Sequence, residues 1–303
     1  INGGLAMDIE GMHRTGASGV GLFRTEFQFM ISETLPRVHP QAEFYKSIIN
    51  AAGEKPVTFR TLDIGGDKEV SFLKRDNEEN PALGWRAIRI ALDRPALLRY
   101  QLRALITAAA GTTLNVMFPM ITTVDEFKLA KAILEKELNR HQRNNRPMPV
   151  DIKVGTMLEV PSLVWQLEEL LPIVDFISIG SNDLMQFFYA CDRDNPKLSN
   201  RYDTLSLPSL NMLRFIVDKC SAQNVPLTLC GEIGGRTVGA LALLAIGFRR
   251  LSIAPAAIGP VKMMIRSLNL GEVEQFVNEL LSRSSHSIRD DLRAFARDHD
   301  VRI

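Results

Sequence analysis

A parallel (β/α)8 barrel of the TIM type, within the α/β class, is the fold the sequence predicts, and three observations predict it. Seven short apolar runs rich in Val, Ile, Phe and Thr recur along the 303 residues, separated by segments of helical period. Most of these runs end in charge or are followed by it within four residues, as in VGLFRTEF (20–27) and FRTLDIGGDK (59–68). The opening residues, INGG, read as the tail of an eighth strand truncated at the N-terminus. A strand that buries its body and releases Arg, Asp or Lys at its C-terminal end is how such a barrel builds a site. An open doubly wound sheet is the competing arrangement of the same alternation.

In chain order, the runs are VGLF (20–23), PVTFR (56–60), LNVMF (114–118), DIKVGTML (151–158), VDFISI (174–179), PLTLC (226–230) and RLSIA (250–254). Helical period marks 124–141, 162–171 and 210–220. Thr122 or Thr123 can cap the first of these, with Glu126 reaching back from three positions beyond Thr123. The connection at 69–110 is long for a barrel, and its Arg-rich portion 81–110 reads as helix. The tail 271–303 reads as helix ending in a charged segment. No low-complexity linker interrupts the pattern, so residues 1–303 are expected to form one domain.

A net charge of +1 leaves no electrostatic footprint for nucleic acid or an anionic membrane. No apolar stretch approaches the roughly 20 residues of a spanning helix. The three cysteines, Cys191, Cys220 and Cys230, lack metal-binding spacing, and a reducing cytoplasm is the expected setting.

Chemistry concentrates where the runs end. Arg24 and Arg60 each close a run, and a guanidinium held at a strand end can grip phosphate or carboxylate with two parallel bonds. Pairing with a nearby acid, in RTE or RTLD, is the alternative. In DIGGDK (63–68) two glycines permit close backbone approach and Lys68 adds a compact cation; the spacing of a Walker loop is absent. Glu159 and Asp183 follow adjacent runs, and two carboxylates at neighbouring strand mouths can share a hard cation such as Mg2+. Glu159 pairing with an Arg, and Asp183 capping its helix, are the plainer readings. Arg193 follows the short segment after Asp183 and can swing over the same mouth. Cys230 is either a small core residue or a group that gives or takes a proton at carbon. Met263, Met264 and Trp165 read as packing residues, and the five histidines form no cluster.

At these residues the chain resembles the phosphoenolpyruvate-binding domain of enzyme I of the phosphotransferase system, shared with pyruvate phosphate dikinase and phosphoenolpyruvate synthase. The stretches that carry the resemblance are GLFRTEFQFM, TLDIGGDK, NPALGWRAIRIALDR, MFPMI, GTMLEVPS, FISIGSNDL, the DR at 192–193 and LCGEIGG. They span almost the whole chain in family order. TLDIGGDK and LGWRAIRI are similar to enzyme I rather than to the dikinases. PVTFRTLD, MLEVPS and VDFISIGSNDL lean toward the nitrogen-regulatory branch rather than the sugar-transport branch.

The resemblance implies a (β/α)8 barrel that binds phosphoenolpyruvate and Mg2+ and forms a homodimer. It implies that Arg24, Arg60, Lys68 and Arg193 hold the phosphoryl group, while Arg86 and Asn182 help fix the substrate. Glu159 and Asp183 would bind Mg2+, and Cys230 would protonate the methylene carbon as pyruvate forms. The partners it implies are an N-terminal phosphohistidine domain and, through it, a histidine phosphocarrier protein. No Thr-Ser-His segment of the accepting type occurs here, His286 in SSHSIRD having another context. The chain therefore reads as the C-terminal half of an enzyme, with a phosphoenolpyruvate-sensing dimerisation module without turnover, or a pyruvate phosphate dikinase-type domain, as the alternatives. A further departure is Arg236, where many relatives place Asp. Apolar residues near 248–268 and the C-terminal helices are the expected dimer contacts.

Overall fold

A computed structural model describes residues 1–65, 78–195, 197–198, 201–282 and 287–303. Eight strands follow the chain: β1 (Asn2–Gly3), β2 (Val20–Arg24), β3 (Val57–Arg60), β4 (Thr113–Phe118), β5 (Asp151–Leu158), β6 (Phe176–Gly180), β7 (Leu227–Cys230) and β8 (Leu251–Ser252). They hydrogen-bond in that order, every pair parallel. The Asn2 N–H donates to the Ile253 carbonyl, just past β8, at 2.8 Å. Ser252 Oγ donates to the Ile1 carbonyl, also at 2.8 Å. Those bonds join the last strand to the first, so the fold is a (β/α)8 barrel and not an open sheet.

Alternation along each strand divides the side chains between two cores. Phe23, Val116, Phe118, Leu158, Ile177 and Leu229 belong to the large cluster packed under the helices. Their neighbours Leu22, Met117, Met157 and Cys230 form a separate small cluster with Phe176, inside the barrel. The outer seam over β2 and β3 is aromatic: the rings of Phe23 and Phe59 lie 5.5 Å apart, and those of Tyr45 and Phe59 5.4 Å apart, edge to face.

Helix Val124–Arg143 is capped by Thr123, whose Oγ1 accepts from the Glu126 N–H while the Glu126 carboxylate accepts from the Thr123 N–H. Two helical expectations need correction. Segment 162–171 is mostly 3-10 helix, Pro161–Gln166 and Leu171–Ile173, around the short α-helix Leu167–Leu170; Pro161 and Pro172 bound it and withhold amide donors. Region 81–110 is not continuous: helices Ile88–Asp93 and Pro95–Ala108 break at Arg94, which precedes a proline and leaves the helical region. Met264 is core, but Met263 is half-exposed and Trp165 is 82% exposed, so neither packs as expected. Near 248–268, Phe248, Ile253, Ile258, Val261 and Met264 are buried, whereas Ala254, Ala256, Met263 and Ile265 are exposed. No helix among the described residues is long and apolar enough to cross a membrane.

Candidate active site

Arg24 and Arg60 are register partners at the ends of β2 and β3, yet their surroundings differ. Arg24 is exposed and makes no hydrogen bond or ion pair with a described residue. Arg60 is buried and pairs with Glu26 and with Asp63 Oδ2, the latter at 3.1 Å. Asp63 Oδ1 also accepts from Arg86 Nη2 at 3.0 Å. Arg86 Nη1 lies 3.5 Å from Asp183 Oδ1, and Arg193 Nη1 lies 3.5 Å from the same oxygen. Glu26, Arg60, Asp63, Arg86, Asp183 and Arg193 thus form a chain of alternating charge across the mouth from β2 to β6. Burial opposes the charge on Arg60, but Glu26, Asp63 and Glu159 outweigh it and raise its pKa. Arg86 is raised in the same way, Asp63, Asp183 and Glu159 overcoming its burial.

Gly65 permits the close approach that brings Arg86 in. Its φ is +107°, and a Cβ there would stand 2.4 Å from the Arg86 Cβ. The Ala87 N–H donates to the Ile64 carbonyl at 2.8 Å and locks the two segments together. Lys68 lies outside the described residues, as does His286.

Glu159 follows β5 and is 0% exposed. Among the described residues it makes no ion pair with an Arg; its Oε1 accepts from the Met120 N–H at 2.7 Å, and its Oε2 is buried without a hydrogen-bond partner. Burial, then Asp183 and Asp63, push its carboxyl up to about 8, with Arg60 acting against them. Asp183 lies in the first turn of helix Ser181–Phe188, but the N-cap is Gly180 and no side chain caps it, so the capping reading fails. Asp183 Oδ1 likewise lacks a hydrogen bond, although two guanidiniums stand 3.5 Å away. Gly180 separates the carboxylates, and a Cβ there would approach Glu159 Oε2 to 2.5 Å.

These observations suit a divalent cation. No group of three or more His, Cys, Asp or Glu side chains converges among the described residues, which argues against an all-protein cage. Mg2+ uses one or two carboxylates and completes its octahedron with substrate oxygens and water. Glu159 and Asp183, each with an oxygen that makes no hydrogen bond to a described residue, could supply carboxylates of that kind.

Cys230 ends β7 in register with Gly180. Its thiol is buried in the barrel interior, 3.0 Å from Ser178 Oγ. Burial raises its pKa, with hydrogen bonds from Ser178 and Ser252 opposing, so the sulfur carries its proton at neutral pH. The turn after Cys230 is docked on the β6 helix. Ser181 Oγ donates to the Cys230 carbonyl at 3.0 Å, and the Glu232 N–H donates to Asn182 Oδ1 at 3.3 Å. Gly231, with φ +139°, is obligatory, because a Cβ would fall 2.0 Å from Ser181 Oγ.

Of the residues expected from sequence, Arg60, Arg86, Glu159, Asp183, Arg193, Asn182 and Cys230 converge on the C-terminal ends of β3 to β7, with Arg24 beside them at the end of β2. Missed were Asp63 as the bridge between two arginines and Ser178 as the thiol's partner. Ser178 had a signal, a polar residue at an inward position of the apolar run VDFISI.

The sequence profile described as "PEP-utilising enzyme, PEP-binding domain" matches residues 1–270. The chain belongs to this family. It is 39% identical over 284 residues to a phosphoenolpyruvate-protein phosphotransferase of Priestia megaterium, covering 94% of this chain and 50% of the relative. The protein of that name in Haemophilus influenzae is 38% identical, with coverages of 96% and 51%. Multiphosphoryl transfer protein 1 of Escherichia coli K12 is 37% identical, with coverages of 99% and 36%. The chain spans about half or less of the length of these curated relatives.

Proposed function

We propose that this chain is the phosphoenolpyruvate-binding barrel of a phosphoenolpyruvate-protein phosphotransferase. The observation that carries the reading is the mouth itself: a buried thiol in the barrel interior, with guanidiniums and two incompletely satisfied carboxylates at the rim. Arg24, Arg60, Arg193 and Lys68 would hold the phosphoryl group, and Arg86 with Asn182 would orient the rest of the substrate. Glu159 and Asp183 would hold Mg2+, which when bound neutralises charge on phosphoryl oxygens. The guanidiniums of Arg24, Arg60, Arg86 and Arg193 stand among Glu26, Asp63, Asp183 and the Glu159 carboxyl, whose pKa is raised to about 8. A bound cation, which would hold Glu159 in its ionised form, adds positive charge that favours a multiply negative substrate.

In this reading the P–O bond to the enol oxygen breaks, and the phosphoryl group passes to a histidine on a separate N-terminal domain and through it to a phosphocarrier protein. The enolate left behind takes the Cys230 proton at its methylene carbon and leaves as pyruvate; the thiolate is reprotonated from water. We read residues 1–303 as one domain, supported by a core cluster that includes both Ile1 and Val301. A cytoplasmic homodimer is the assembly proposed, on the family resemblance. Calorimetric titration of the chain with phosphoenolpyruvate, with and without Mg2+, tests the proposal. Saturable binding that Mg2+ tightens is expected; no binding in either condition would overturn it.

A further inference from the structure

The arginines at the ends of β2 and β3 are held from behind by a buried amide. Gln101, 1% exposed, projects from helix Pro95–Ala108. Its Oε1 accepts from the Leu62 N–H at 2.8 Å. Its Nε2 donates to Thr25 Oγ1 at 2.8 Å and to the Tyr45 hydroxyl at 3.2 Å. Thr25 Oγ1 in turn donates to the Arg60 carbonyl at 2.9 Å, and the Tyr45 hydroxyl donates to Gln41 Oε1 at 3.4 Å. Since Leu62 N–H can only donate, the amide orientation is determined, and one carbonyl and both N–H groups are used.

A buried amide left without partners costs on the order of 1–3 kcal/mol, whereas a fully connected network fixes one geometry. Gln101 sits between the two segments that matter, 24–26 and 60–63. The first carries Arg24 and Glu26; the second carries Arg60 and Asp63, the origin of the charge chain to Arg86 and Asp183. The seam below is aromatic, and these side-chain hydrogen bonds lie level with the strand ends.

Resting on the function proposed above, we propose that Gln101 is a positioning residue that, through Thr25 and Leu62, sets the backbone from which Arg24 and Arg60 grip the phosphoryl group. The test is calorimetric titration of the chain with phosphoenolpyruvate and Mg2+, alongside thermal unfolding, for Gln101→Leu, Thr25→Val, Thr25→Ser and the Gln101→Leu/Thr25→Val pair. Gln101→Leu and Thr25→Val should each weaken binding by about tenfold, as loss of shared hydrogen bonds would. Thr25→Ser, which keeps the hydroxyl, should bind as the parent chain does. The double variant should bind no worse than either single one, because both cut one network. A merely structural amide would lower the melting temperature and leave the dissociation constant of the folded variants unchanged, and that result overturns the inference. Additive losses, or a Thr25→Ser as weak as Thr25→Val, overturn it as well. If the parent chain itself fails to bind, the functional reading falls and takes this inference with it.

Discussion

Two carboxylates, one in the outer helical seam and one in the barrel mouth, are equally buried and oppositely provided for. Glu137, on helix Val124–Arg143, receives Arg99 Nε at 2.5 Å, Arg103 Nη2 at 3.2 Å and Arg103 Nε. Burial alone would raise its pKa, but the bonds from Arg103 and Arg99 prevail and lower it. Glu159 receives one backbone N–H, keeps an oxygen without a hydrogen bond, and is pushed up to about 8. A fold under selection for stability alone would satisfy both. The difference teaches that the seam is built to hold itself together, while the mouth is built to be completed by something else. Changes in the mouth should therefore alter chemistry more than stability, and changes in the seam the reverse.

The largest effect should come from the barrel interior. On the proposed function, Cys230→Ser in a protein that also carries a phosphohistidine domain should lower pyruvate formation by roughly 10²–10⁴-fold, the usual range for loss of a positioned acid. Phosphoenolpyruvate binding should stay within about twofold, because the thiol is proposed to act after the substrate is held. Stopped-flow pyruvate assays and calorimetry would separate the two, and turnover equal to the parent's would remove Cys230 as the proton donor.

Glu159→Gln should have a smaller effect with a different signature. The variant should bind phosphoenolpyruvate about equally with and without Mg2+, losing a tightening of about tenfold or more. Its stability should match or exceed that of the parent, since a buried carboxyl crowded by Asp183 and Asp63 is exchanged for a neutral isostere. Persistence of the full Mg2+ dependence would remove Glu159 as a metal ligand.

The contrast also marks what sequence reading reaches. Strands were legible because burial on both faces writes Val, Ile and Phe in short runs, and every observed strand end lies within two residues of its run where a run was named. Site residues that end those runs were legible for the same reason. Pairings were not. Arg24 and Arg60 stand in near-identical local contexts, RTE and RTL, but Glu26 pairs with Arg60, 34 residues away, and Arg24 is left without a partner among the described residues. Gln101 lies in an ordinary amphipathic helix, and its partners at Leu62 and Thr25 are 39 and 76 residues distant, beyond any local pattern. Trp165 reads as core by composition and is exposed, because the segment carrying it is 3-10 and not α-helical.

Glu137→Gln tests the seam half of the comparison and should produce the smallest effect. The Gln keeps the shape and an acceptor but loses the charge that binds two arginines. Because Arg99 is nearly half exposed, its share of the pair is screened by water, and the loss should be about 1–2 kcal/mol at pH 7. The sign with pH follows from the lowered pKa of Glu137. An acid held below its unfolded value of 4.5 contributes stability above that value and loses it as the pH falls through the lower, folded one. Urea midpoints of the parent and the variant should therefore differ at pH 7 and 6, and converge below about pH 4 as the parent's carboxylate takes its proton. Phosphoenolpyruvate affinity at pH 7 should be the same for both. A gap that stays constant down to pH 3 would mean that shape and not charge is what Glu137 supplies, and a change in affinity would mean that seam and mouth are coupled after all.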